Sequence, residues 1–219
     1  MKAHRHKAVR LKTAKGRTVS STKWLSRQLN DPYVERSKKE GYVSRAAYKL
    51  LEIDSKFHIL DKDMTVVDLG ASPGSWTQIL DRRGIKNIIA VDLKPLEIET
   101  GACFIQGDFR EASVVNAVLS QLNGLRAHAV LSDMAHNATG NKTLDHACMI
   151  ALCEAALEFS KTALVRGGSL VMKVIQGGEE TKLASEMKKH FGSVKFFKPQ
   201  ASRKDSSEIY IVASGYGQK

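Results

Sequence analysis

The 219-residue chain carries 34 Lys/Arg against 23 Asp/Glu, a net charge of +11, with 42% hydrophobic residues, enough for one medium-sized core. No apolar run approaches the roughly 18 residues of a membrane span, and no signal-peptide core is evident. Three cysteines without a CxxC spacing (Cys103, Cys148, Cys153) read as reduced thiols rather than disulfides or zinc ligands.

Residues 1–30 hold nine Lys/Arg and no acid, while the rest of the chain is nearly balanced. A localised basic arm is the usual footprint of a polyanion partner. Residues 1–20 read as a flexible arm and residues 21–219 as a single domain. A short helix is expected at 21–30, anchored by Trp24 and Leu25. Ser44 reads as the N-cap of a helix running to about Lys56. Its apolar face is Ala46, Ala47, Leu50, Leu51 and Ile53; its polar stripe, Arg45, Lys49, Glu52 and Lys56, is spaced for solvent. Strands and helices then alternate. Strands are expected at 65–69, 88–92, 104–106, 129–132 and 169–174, with helices near 76–83, 112–122, 144–164 and 179–191. This order predicts a mostly parallel sheet with helices on both faces. The last two strands, 194–197 and 209–213, are joined by a polar loop without helical pattern and should be antiparallel. The expected fold is α/β, a Rossmann-like and mostly parallel seven-stranded sheet with an antiparallel last strand. That is the architecture of adenosylmethionine-dependent methyltransferases.

The chemistry concentrates in VVDLGASPGSW, residues 66–76. An apolar strand turns through Gly70, Pro73 and Gly74 into a helix; glycine admits a close ligand and the helix start offers free N–H donors. Ser72 stands where a dinucleotide fingerprint needs its second glycine, and no Gly-Lys-Ser/Thr follows. S-adenosyl-L-methionine, which lacks a pyrophosphate, suits this turn better than NAD or ATP. Asp68, Asp92, Asp108 and Asp133 end four successive strands. Asp92 lies at a distance from the turn suited to a ribose diol, and Asp108 to an adenine amino group. Lys173 interrupts the otherwise apolar run SLVMKVI, so it must be paired or stand at the ligand edge of the sheet.

These residues sit in STKWL, SRAAYKL, VVDLGASPGSW, QGDF, LSDMAHNATG, VMKVIQG and SSEIYIVASG. In this order and spacing, from about residue 21 to 215, the chain resembles the FtsJ/RrmJ family of ribosomal-RNA ribose 2′-O-methyltransferases. The resemblance implies a Lys-Asp-Lys-Glu catalytic set at Lys49, Asp133, Lys173 and Glu208, and it alone singles out Lys49 and Glu208. It implies S-adenosyl-L-methionine contacts at Gly74, Trp76, Asp92, Asp108 and Asp133. The implied substrate is a uridine ribose in the aminoacyl-site loop of 23S rRNA within the large ribosomal subunit, with a part in late subunit assembly. No metal and no membrane are expected. A monomer in the bacterial cytoplasm is the default, and the basic N-terminus keeps a mitochondrial location as the alternative. Phosphate contacts are expected from the arm with Lys38, Lys39, Arg45, Arg203 and Lys204. Lys173 has two open roles, a neutral base for the acceptor hydroxyl or a charged donor to a developing oxyanion. One position departs from the family: DMAHN has His136 where close relatives have proline, exchanging a rigid turn for a titratable ring.

Overall fold

The computed structural model describes residues 18–136 and 139–218. The expected arm lies almost wholly outside these, as does the Trp24 side chain. Among these residues seven strands form the frame: β1 (Thr65–Leu69), β2 (Asn87–Asp92), β3 (Cys103–Gln106), β4 (Ala127–Ser132), β5 (Leu164–Ile175), β6 (Phe191–Phe197) and β7 (Glu208–Tyr216). Their order across the sheet is β3-β2-β1-β4-β5-β7-β6. The first five run parallel to one another, and β7 runs antiparallel to both β5 and β6.

Among the described residues seven helices accompany them: α1 (Val19–Leu29), α2 (Pro32–Glu40), α3 (Ala47–Phe57), α4 (Ser75–Arg82), α5 (Ala112–Gln121), α6 (Lys142–Ala163) and α7 (Glu180–Met187). Side chains alternate across a strand, and here the alternation divides two cores. Val67, Leu69, Val130, Met172 and Ile211 face α5, α6 and α7, while Val66, Leu131, Val171 and Tyr210 face α3 and α4. Both faces of β1 are therefore buried, which explains why Val66, Val67 and Leu69 are apolar whichever face they take. By the same alternation Asp68 and Lys173 fall on the α3–α4 face.

Four boundaries differ from expectation. Helix α2 has no apolar stripe to announce it; its signals are the Asp31 N-cap, which accepts from the Tyr33 N–H, Pro32 at the first turn, and left-handed Gly41 at its end. Ser44 does not cap α3. Its hydroxyl is 2.6 Å from that of Ser75 and accepts from the Ala46 N–H, so it ties the preceding turn to the start of α4. Helix α7 stops at Met187 and β6 begins at Phe191, whose ring packs on Tyr216 across the strand pair. Phe191 lies four residues after Met187, so it fits the helical period as well as the strand. Finally, β5 starts at Leu164, directly after α6.

The polar stripe of α3 is largely covered, Lys56 alone of its four residues being exposed. The Glu52 carboxylate accepts the Gln200 and Ala201 N–H groups, the Lys56 ammonium lies 4.5 Å from the Phe197 ring centroid, and the Lys49 side chain is 12% exposed. The stripe is the seam between α3 and the β6–β7 hairpin.

Candidate active site

The carboxyl ends of β1, β2 and β4 open on a cleft of about 240 Å³. Gly70 forms its floor at φ +79°, and a Cβ there would lie 2.6 Å from the Met134 backbone nitrogen. Asp92 and Leu93 make one wall, Asp108 and Phe109 another, and Met134 and His136 a third. Asp92 accepts the Ser72 N–H on one oxygen and the Lys94 N–H on the other, both at 2.9 Å. A carboxylate has about four lone-pair sites, so each oxygen keeps capacity for a ligand hydroxyl. Leu93 is 60% exposed at the rim, apolar surface that a flat heterocycle would cover. Asp108 is held below the usual carboxylate range by hydrogen bonds from the Arg110 side chain and backbone. His136 Nε2 is buried with no hydrogen-bond partner among the described residues.

Beside the cleft lies a charged cluster built from four elements. The Asp133 N–H donates to the Leu69 carbonyl at 3.0 Å, which fixes the turn after β4 against the end of β1. Lys173 Nζ donates to the Asp133 carbonyl at 2.5 Å and lies 3.0 Å from its Oδ1. The Tyr210 hydroxyl donates to the same Oδ1 at 2.7 Å. Lys49 from α3 pairs with Glu208 Oε1 at 2.8 Å, with its ammonium 5.8 Å from the Tyr210 ring centroid. Burial alone would raise the Asp133 pKa, but the Lys173 and Lys49 ammoniums and the Tyr210 hydroxyl outweigh it and hold the carboxyl below its usual range. Burial first, then the charges of Asp133 and Glu208, push the Tyr210 phenol well above its ordinary value, so it stays a donor.

Lys49, Asp133, Lys173 and Glu208 are therefore brought together around Tyr210. The five residues named for the cofactor divide. Asp92 and Asp108 line the cleft. Asp133 faces the charged cluster, one residue before Met134. The Trp76 indole is buried, donating to the Ala46 carbonyl at 3.0 Å and packing on Tyr210; what Trp76 can offer a ligand is its first-turn N–H. Gly74 sits at φ +112° under the Ile98 side chain. Tyr210 escaped the sequence reading because IYIVA looks like plain strand; the available signal was that a buried tyrosine hydroxyl requires an acceptor. Of the cations expected to meet phosphate, Lys38, Lys39 and Lys204 are exposed, whereas Arg45 is spent on Asp31 at 2.8 Å and on the Ala201 carbonyl.

The family model for FtsJ-like methyltransferases matches residues 42–216. A Granulibacter bethesdensis protein named ribosomal RNA large subunit methyltransferase E is 51% identical over 212 residues, covering 97% of this chain and 92% of the relative. A Wolbachia protein of the same name is 45% identical, covering 94% of each. Among solved structures, a Plasmodium falciparum protein described as a ribosomal RNA methyltransferase is 32% identical with a TM-score of 0.72, covering 80% of this chain and 98% of that one. On sequence and fold together, the chain belongs to the FtsJ-like methyltransferase family.

Proposed function

We propose that this protein methylates a ribose 2′-hydroxyl of large-subunit ribosomal RNA, at a uridine of the aminoacyl-site loop in 23S rRNA, as a cytoplasmic monomer acting late in subunit assembly. The observation that carries the reading is the meeting of Lys49, Asp133, Lys173 and Glu208 around Tyr210, next to a cleft with a ribose-competent carboxylate. The name borne by its relatives supports the substrate.

The cleft suits an adenosyl group. Asp92 would take the ribose diol, Leu93 and Phe109 the faces of the adenine, and Asp108 its amino group, with free N–H groups at the start of α4 toward the polar tail. When bound, S-adenosyl-L-methionine supplies an electrophilic methyl group. The chain's own residues supply alignment and charge. Two acceptors already face Lys173 Nζ, which favours the donor role over the base. Lys173 then holds the acceptor oxygen and stabilises negative charge as it develops, and the hydroxyl proton passes to solvent water as the oxygen is alkylated. Asp133 and Tyr210 fix the Lys173 ammonium, and Lys49 with Glu208 borders the acceptor on the α3 side. Alignment of this kind is worth on the order of 7–11 kcal/mol.

The test is transfer of labelled methyl from S-adenosyl-L-methionine to large subunits from methylation-deficient cells, beside naked 23S rRNA. Label recovered in an alkali-resistant dinucleotide supports the reading, and the better acceptor identifies the stage of assembly. Label recovered on a base, or none in either RNA, refutes it.

A further inference from the structure

The carboxylate of Glu208 is held by a loop that the N-terminal helices, in turn, hold. Glu208 Oε1 accepts from Lys49 at 2.8 Å and from the Ser202 hydroxyl at 2.9 Å. Ser202 is 4% exposed and the adjoining Ala201 fully buried, so this is no mobile surface turn. Two anchors fix the loop. Glu52 on α3 accepts the Gln200 and Ala201 N–H groups and also the Tyr33 hydroxyl at 3.3 Å. Arg45 donates to the Ala201 carbonyl and is itself paired at 2.8 Å with Asp31, the N-cap of α2. Helix α1 reaches the same loop through Gln28, 3.2 Å from Arg203, and through Arg27, 3.2 Å from Asp205.

From this geometry we infer that Ser202 is a positioning residue for the Glu208–Lys49 pair, and that α1 and α2 act on the candidate active site through the loop it belongs to. The chemistry is specific. With both donors on one oxygen, the carboxylate rotamer is fixed by Ser202 on the loop side and by Lys49 on the α3 side. A polyanion docking beside α1 and α2 therefore loads the residues that hold this carboxylate. The inference rests on the proposed function only for its kinetic consequence; the positioning itself has a separate readout.

The experiment compares the full-length protein with Ser202→Ala, Ser202→Thr and Asp31→Asn. The last keeps a good N-cap for α2 and removes the charge that faces Arg45 at 2.8 Å and, at 3.8 Å, Arg203 of the loop itself. Lysine reactivity is read by brief reductive methylation with formaldehyde and borohydride, followed by peptide mass spectrometry, with exposed Lys94 as the internal standard. Lys49 labelling, relative to Lys94, should rise about threefold or more in Ser202→Ala and Asp31→Asn and return toward the parent in Ser202→Thr. The Ser202→Ala/Asp31→Asn double variant should be no more reactive than the worse single variant, since both act on one chain of contacts. Unchanged Lys49 labelling in Ser202→Ala, or no rescue by threonine, overturns the positioning role; additive effects overturn the link to α2. On the rRNA acceptor Ser202→Ala and Asp31→Asn should lose several-fold in kcat and Ser202→Thr should stay near the parent, with KM for RNA and the affinity for S-adenosylhomocysteine within twofold throughout. Absence of methyl transfer by the parent protein counts against the proposed function, while the labelling data still decide this one.

Discussion

Asp68 is fully buried at the end of β1, with Oδ2 accepting the Thr77 hydroxyl at 2.7 Å and Oδ1 without a partner among the described residues. Burial, aided by the nearby charges of Asp133 and Asp92 and opposed by the Thr77 hydrogen bonds, pushes its pKa from 3.8 to about 7. The folded value lies above the unfolded one, so the folded state binds the extra proton between these values and stability falls as pH rises. The contribution is complete below about pH 4 and lost as pH passes 7. Across pH 5 to 8 about two units of this gap are traversed, worth roughly 3 kcal/mol at 1.36 kcal/mol per unit. Asp68→Asn keeps the shape and removes the titration. It places an NH2 group where Oδ1 lacks a partner, a pH-independent cost of about 1–3 kcal/mol. At roughly 2–4 °C per kcal/mol for a chain of this size, the Tm of Asp68→Asn relative to the parent should climb by roughly 5–10 °C from pH 5 to pH 8. Thermal melts followed by circular dichroism at four pH values measure it. Parallel Tm–pH curves for the two proteins would refute the reasoning.

Lys173→Ala should abolish methyl transfer while S-adenosylhomocysteine binding, measured by calorimetry, stays within a few-fold; normal turnover would remove Lys173 from the reaction. Tyr210→Phe deletes the 2.7 Å hydrogen bond to Asp133, one to a charged acceptor and so worth about 1.5–3 kcal/mol. A kcat loss of about tenfold is expected, with the acid limb of the pH–rate profile moving upward because Asp133 loses one of the groups that lower its pKa. An unmoved limb would mean that Lys173 and Lys49 hold Asp133 unaided. Gly70→Ala puts a Cβ at φ +79° only 2.6 Å from the Met134 backbone nitrogen. Strain and clash together should cost about 2–4 kcal/mol and weaken cofactor binding; a Tm within 2 °C of the parent would show that the turn after β4 yields.

What could be read from the sequence was what is local. The motif from Val66 to Trp76 shows its strand, turn and helix in consecutive residues, and Asp92 follows from a strand end. Lys173 was visible as an anomaly in an apolar run, and its need for a partner is met by Asp133. Lys49 and Glu208 were not visible in the pattern, because each is an ordinary residue until α3 and β7 are brought together. The stripe of α3 looked solvated for the same reason, since the surface it serves lies near the other end of the chain. Helix α2 was missed because its polar sequence follows no periodic apolar face. Only its terminal residues, Asp31, Pro32 and Gly41, mark it.

The antiparallel strand is what makes the site. In an all-parallel sheet every strand delivers its carboxyl end to the ligand edge, so the residues there come from the loops that follow strands. Because β7 runs the other way, it delivers its beginning: Glu208 is in register with Ile175 and Tyr210 with Lys173. Glu208 thereby arrives attached to the loop that precedes β7, and that loop is gripped by α2 and α3. A parallel last strand would have brought Ser214 or Tyr216 to this edge and left the loop at the opposite end of the sheet. The strand reversal thus joins two contacts at one point, placing a carboxylate beside Lys49 and connecting it, through the preceding loop, to the N-terminal helices.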